Sequence, residues 1–187
     1  MTQSIHVALA AHRTNPARLH QRIEVALSLR ADGALHVDYA IRGLNLDLRV
    51  PTPHAPAPAD ALWQTTCCEL FAGPAGAAGY REFNFSPSGQ WTAYDFHDYR
   101  RRAPDHPDCP APILRTQRTE DLLRLEVTLP RAALPAGPAL RLALSVVLEA
   151  EGGHHGYWAL AHPAGKPDFH RDGFLLTLDQ GGLHPRR

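Results

Sequence analysis

The chain has 187 residues, with 19 Lys and Arg against 19 Asp and Glu, so its formal net charge is zero. No global field draws it to nucleic acid or to an anionic membrane, and neither is an expected partner. The length suits one domain with a real core, and we expect a single domain spanning residues 1–187.

No stretch approaches the run of ~20 apolar residues that crosses a bilayer. Residues 1–15 lack the charged start and long apolar stretch of a secretory signal, which points to the cytoplasm. Cys67, Cys68 and Cys109 make neither a disulfide framework nor a zinc pattern. They read as reduced thiols, with Cys68 toward the core and Cys67 away from it.

Ile5, Val7 and Leu9 alternate with His6, Ala8 and Ala10, the period of a short strand. After a polar break at Arg13, Thr14, Asn15 and Pro16, Ile23, Val25, Leu27 and Leu29 alternate with Arg22, Glu24, Ala26 and Ser28. Beyond Asp32 and Gly33 the pattern resumes as Leu35, Val37, Tyr39 and Ile41, so Asp-Gly reads as a hairpin turn. Leu46, Leu48 and Val50 against Asn45, Asp47 and Arg49 give another strand. The proline and alanine segment 51–62 cannot enter a sheet interior and reads as a loop crossing between sheets.

Trp63 precedes residues 66–71, which carry Cys68 and Leu70 on one face and Cys67, Glu69 and Phe71 on the other. A carboxylate inside an apolar strand needs a partner or water, because burying it unpaired costs several kcal/mol. Glu69 is therefore either a candidate binding group or half of a structural ion pair with an arginine.

Residues 80–100 form the densest run of aromatic and polar side chains. Phe83 and Phe85 share one strand face, and Tyr80, Glu82 and Asn84 the other. Ser86, Pro87, Ser88 and Gly89 supply a turn. In the second arm Thr92, Tyr94 and Phe96 alternate with Trp91, Ala93, Asp95 and His97. We expect Tyr94 and Phe96 to continue the core begun by Phe83 and Phe85. That leaves Tyr80, Glu82, Asn84, Trp91, Asp95 and His97 on the opposite face. Such a face suits a polar, ring-shaped ligand, with flat groups for stacking and carboxylates and amides for hydroxyls; a solvated sheet face has the same pattern.

Residues 100–119 are basic, proline-rich and aperiodic, and Arg100, Arg101 and Arg102 read as a solvated surface run. Leu123, Leu125, Val127 and Leu129 mark a clean strand. Leu140, Leu142, Leu144, Val146 and Leu148 mark the most apolar one. Residues 152–156 turn the chain into 157–161, and 174–178 close it. About ten short alternating segments, with no amphipathic helix of three turns, argue for an all-β, antiparallel β-sandwich.

The sequence has no G-x-S-x-G elbow, no G-x-G-x-x-G and no Walker loop, which disfavours hydrolase and nucleotide-dependent chemistry. His154, His155, His162, Asp168 and His170 are a chemically competent metal set, but none has the H-E-x-x-H or comparable spacing. Asp168 and His170 lie two apart, so in extended chain they point the same way beside Trp158. With Pro163 and Pro167 stiffening that segment, it is either the rim of a pocket or a loop in which Asp168 bonds backbone amides.

Trp63 with Cys68, Glu69, Leu70 and Phe71, then Tyr80, Glu82, Phe83, Asn84, Phe85, Ser86, Pro87, Gly89, Trp91, Tyr94, Phe96, Tyr99 and Arg100, and finally His162, Pro163, Lys166, Pro167, Asp168, Phe169 and His170 together resemble DOMON-like domains related to family 9 carbohydrate-binding modules, in an intracellular branch. The resemblance implies an immunoglobulin-like β-sandwich of roughly ten strands that binds a sugar or a haem on a sheet face or edge. Haem-binding relatives use methionine with histidine or lysine, and here the single methionine is Met1. That opposes the usual haem site and leaves bis-histidine ligation open. Sugar-binding relatives stack a terminal sugar between two tryptophans and fix its hydroxyls with carboxylate, amide and arginine groups. Trp63, Trp91 and Trp158 with Glu69, Glu82, Asn84 and Arg100 could supply that set. Those relatives are commonly secreted, so the missing export signal favours a small intracellular saccharide or nucleotide-sugar-like ligand.

The expectation is a non-enzymatic domain, without cofactor or metal, that binds a saccharide or similar small polar ligand. Its candidate site is Trp63, Glu69, Tyr80, Glu82, Asn84, Trp91, Arg100, Trp158, Asp168 and His170. One alternative is a haem- or metal-binding protein or metal-dependent enzyme using His162, Asp168 and His170. Another is a protein-interaction domain that pairs through an exposed sheet edge.

Overall fold

A computed structural model describes residues 4–16, 19–43 and 48–186. Met1 and the expected strand residues Asn45, Leu46 and Asp47 lie outside the described residues. In chain order the first strands are β1 (Ser4–Ala8), β2 (Ala10–Ala11), β3 (Arg22–Leu29), β4 (Leu35–Arg42), β5 (Leu48–Arg49), β6 (Cys67–Pro74), β7 (Tyr80–Phe85) and β8 (Trp91–Asp98). They are followed by β9 (Arg101–Arg102), β10 (Ile113–Arg118), β11 (Leu122–Leu129), β12 (Leu140–Ala150), β13 (His154–Ala159), β14 (Leu176–Asp179) and β15 (Gly182–Pro185). Every ladder is antiparallel, apart from one isolated parallel bridge. The fold is the all-β sandwich expected.

The smaller sheet runs β1-β3-β4-β11-β10. Its strands alternate strictly because one face meets the core and the other meets water. Register carries this through the sheet, since Val25 and Leu125 both pair with Tyr39 and all three are buried.

The larger sheet is built on β12. It pairs with β6 along one side, and with β14, β13 and β5 at its ends; the order continues through β7, β8 and β9. Cys68, Leu70, Phe83, Phe85, Leu144 and Val146 on its inner face join the smaller sheet in one core. Its outer face is also buried, so β6 reads as a near-continuous run of buried residues. Phe71, Tyr80, Ala143 and Phe174 form a second apolar cluster there, with Phe96 and Phe169 packed against it.

One expectation is overturned in the β7–β8 hairpin. Phe85 pairs with Trp91 and Phe83 with Ala93, across a connection of residues 86–90. A turn confined to residues 86–89 would have set Tyr94 and Phe96 beside the phenylalanines; one more residue in the connection reverses the parity. Gly89 makes the longer turn possible with φ near +96° while donating to the Ser86 carbonyl at 3.0 Å. Trp91 consequently packs against the shared core, and Tyr94 and Phe96 face outward with Glu82 and Tyr80. The segment before β6 also lies along this edge, where Ala59 donates to the Trp91 carbonyl at 2.9 Å.

Trp158 is likewise a core residue, 1% exposed and opposite Val146. Gly156 is required beside it, because a Cβ there would lie 2.8 Å from the indole and 2.8 Å from Leu19. Trp158→Ala should cost about 3–5 kcal/mol of stability. Trp63, 39% exposed, should cost under about 1 kcal/mol when replaced by Ala. Urea denaturation of both variants checks the contrast, and equal losses would contradict these placements.

Candidate functional site

On the outer face of the larger sheet lies a recess of about 360 Å³. Its floor is Glu69 from β6 and Glu82 from β7, on neighbouring strands and diagonal to one another, since Glu69 pairs with Asn84 and Phe71 with Glu82. Burial is nearly complete, at 2% and 6% exposed. Ser145 donates to Glu69 Oε2 at 2.6 Å, and Asn84 donates to Glu82 Oε1 at 2.6 Å. The other oxygen of each carboxyl makes no hydrogen bond among the described residues. From behind, the Tyr39 hydroxyl of the smaller sheet donates to the Glu69 backbone carbonyl at 2.9 Å, fixing this point of β6 across the core.

The walls are aromatic. Trp63 stands on a short 3-10 turn, Leu62–Gln64, edge-on to Tyr94 with ring centres 5.7 Å apart. Phe96 comes from β8, Tyr157 from β13, and Phe169 from the loop after β13, which meets Tyr157 edge-on at 6.0 Å. The rim is cationic. Arg102 lies 3.7 Å over the Tyr94 ring. Arg100, with φ near +53°, holds Asp168 at 3.0 Å, and the Tyr99 hydroxyl donates to the same carboxylate.

His170 is wedged between floor and wall. Its Nδ1 is 2.6 Å from the Tyr80 hydroxyl and its Nε2 is 3.7 Å from Glu82 Oε2. Tyr80 accepts the Arg100 backbone N–H at 3.2 Å, so we assign the Tyr80 proton to His170 Nδ1 and the ring proton to Nε2, facing Glu82. Rings of Phe71 and Phe96 flank the imidazole.

Burial governs the charges. It pushes Glu69 up to about 8, helped by the neighbouring Glu82 and opposed by Ser145 and Arg100. Burial also raises Glu82, against the Asn84 hydrogen bond and the two rim arginines. His170 is lowered to about 4 by burial and by Arg100, so it is neutral at neutral pH. Burial acts to raise Asp168, but the hydrogen bonds from Tyr99, the His170 backbone and Arg100 outweigh it and hold this carboxyl below its usual range.

Of the residues expected from sequence, Trp63, Glu69, Glu82, Arg100 and His170 line the recess. Tyr80, Asn84 and Asp168 stand behind the lining and hold it in place. Trp91 and Trp158 are corrected: both belong to the core face. Asp95 also leaves the expected set, ion-paired to Arg81 at 2.7 Å. Glu69 is bonded to Ser145, with no arginine ion pair among the described residues.

The alternative metal cluster is not assembled. His162 Nε2 is 2.8 Å from the Ala10 carbonyl and its ring packs on His12, while His170 is turned to Tyr80. Among the described residues no group of three or more His, Cys, Asp or Glu is placed to hold a metal ion.

Sequence reasoning missed Tyr94 and Phe96 through the hairpin parity. It also missed Arg102, left with Arg101 in a solvated surface run, and did not single out Tyr157 or Phe169 as walls. Strict alternation with Trp158 was the available signal for Tyr157.

No protein-family model and no curated protein sequence matches the chain. Among solved structures it is similar to a Bacteroides uniformis protein provisionally described as carbohydrate-binding, at 14% identity over 92% of this chain and 84% of that one, with a TM-score of 0.58. It is also similar to a family 9 carbohydrate-binding module from Caldicellulosiruptor kristjanssonii, solved with glucose and with cellotriose. Identity there is 15% over 84% of this chain and 75% and 74% of the other, with a TM-score of 0.49 in both. At these identities the likeness is one of fold.

The raised Glu69 has a testable sign. From the ordinary carboxylate value up to about 8, the folded chain holds a proton that the unfolded chain has lost, so stability falls as pH rises through that window. The slope is at most about 1.4 kcal/mol per pH unit. His170 acts oppositely on the acid side: stability falls as pH drops from its ordinary value toward about 4. Glu69→Gln should therefore raise the melting temperature, relative to the unaltered chain, more at pH 8 than at pH 5. An equal difference at both pH values would contradict a protonated Glu69.

Proposed function

We propose that the chain is a non-catalytic domain that binds a saccharide of one or two rings in this recess. The observation that carries the reading is a pair of buried carboxyls, each with an oxygen free of hydrogen bonds among the described residues, beneath the aromatic walls of Trp63, Phe96, Tyr157 and Phe169. A sugar ring has an apolar C–H face that packs on such rings and a rim of hydroxyls that donate to carboxyl oxygens. A volume of about 360 Å³ lies near the small end of ligand sites, roughly 300–1,000 Å³, which suits a short saccharide better than a long chain segment. The half-exposed Arg100 supplies N–H donors at the mouth.

The carbohydrate-binding description of the Bacteroides uniformis protein, whose fold this chain shares, supports the same reading. The resemblance of residues between Trp63 and His170 to DOMON-like domains related to family 9 carbohydrate-binding modules, which implies a sugar or a haem as ligand, is compatible with it.

A melting-temperature screen with mono- and disaccharides tests it, because a ligand specific to the folded state must stabilise that state. At a concentration of 100 times Kd the gain is about 2.7 kcal/mol. Trp63→Ala, which leaves the core intact, should weaken binding by roughly fivefold, the equivalent of about 1 kcal/mol of aromatic contact. A flat response across the screen, or unaltered affinity in Trp63→Ala, would refute this reading.

A further inference from the structure

Among the described residues no basic side chain is ion-paired to Glu69, and the arginines of the recess stand at its rim. Glu69 and Glu82 are buried on neighbouring strands, and each spends one oxygen on a neutral donor, Ser145 or Asn84, while the other makes no hydrogen bond among the described residues. Among those residues the nearest basic atom to Glu82 is His170 Nε2 at 3.7 Å, on a ring that burial keeps neutral. We propose that the ligand of this recess is an amino sugar, whose protonated amine settles on the free oxygens of Glu69 and Glu82 while its ring packs on Trp63 and Tyr157. The inference rests on the saccharide reading and narrows it.

Magnitudes favour an ammonium over a hydroxyl. A sugar hydroxyl donates one hydrogen to one oxygen, whereas an ammonium donates three and brings the opposite charge to two carboxyls at once. Coulomb attraction grows as the surroundings become less polar, so a charge counts for more at this floor than at the rim. Burial disfavours the ionised carboxyls, and a bound ammonium would restore them.

The two arginines do not cancel this. Arg100 is 52% exposed and already paired with Asp168, and Arg102 is exposed and engaged on the Tyr94 ring. From the rim they favour the ionised floor carboxyls, Arg100 both of them and Arg102 Glu82, and neither forms an ion pair with either carboxyl. The faces of Trp63 and Tyr157 are compatible with a cation as well as with a pyranose.

Calorimetric titration of the full chain at pH 6.5 tests the proposal with glucosamine, galactosamine and mannosamine, each against its N-acetyl form and its parent hexose. At least one amine should bind about tenfold tighter than its N-acetyl form. In Glu82→Gln that preference should fall below about threefold, and Glu69→Gln gives the same readout should Glu82→Gln fail to fold. Hexoses or N-acetyl sugars that bind as tightly as the amines would overturn the amine assignment and leave saccharide binding intact. Absence of binding by every sugar in the panel would overturn both. An amine preference that persists undiminished in both variants would also overturn the assignment of the floor.

Discussion

The recess depends on one costly placement: a carboxyl at the middle of β6, turned away from the shared core yet covered on its own side as well. Burying an ionised carboxylate without a partner costs several kcal/mol, and a chain meets that cost by pairing, hydrogen bonding or protonation. Glu69 uses the last two. Ser145 donates to it from β12, and burial beside Glu82 holds its proton into the mildly alkaline range. Its backbone is held independently, since Tyr39 reaches across the core to the Glu69 carbonyl. The side chain is therefore fixed to the sheet by its strand, its neighbour and the opposite layer.

The loop after β13 completes what the sheet begins. Its residues gain little from propensity and are held by contacts to residues 80–100 and to β13: His170 to the Tyr80 hydroxyl, Asp168 to Arg100 and Tyr99, and Phe169 against Tyr157. The second apolar cluster on the outer face supplies the burial, with Tyr80 stacked on Phe96 at 4.9 Å and Phe174 edge-on to Phe71. Groups that line the recess and groups that anchor this loop are bonded to each other. Tyr80 is the joint: it serves His170 through its hydroxyl and receives the Arg100 amide in return.

The sandwich was legible in the sequence because its smaller sheet obeys the simplest rule, one face in and one face out. Val25, Tyr39 and Leu125 could be assigned to a core from alternation alone, and the structure pairs them. Glu69 was also legible, since a carboxylate amid Cys67, Cys68, Leu70 and Phe71 contradicts its surroundings. The hairpin phase was not. Its parity depends on whether Gln90 belongs to the turn or to the strand, and local composition does not distinguish the two. That single residue moved Trp91 into the core and brought Tyr94 and Phe96 out. Trp158 was placed with the ligand from the resemblance and from its closeness in sequence to Asp168 and His170, whereas β13 sets it on the face opposite Tyr157, against the core. Contacts distant in sequence, such as Tyr80 with His170, leave no local pattern to read.

Buried polar groups in a structure meant only for stability are usually satisfied completely or replaced by apolar ones of similar volume. The outer face of the larger sheet departs from that. Two carboxyls occupy positions where leucine or methionine would pack, and the structure satisfies each of them halfway, by Ser145 and by Asn84. Local rules broken in a folded chain concentrate where function demands it. Here the breach sits in a recess whose walls are aromatic and whose mouth is lined by arginines already engaged with other groups. The unspent bonding capacity faces inward, toward the space a ligand would fill.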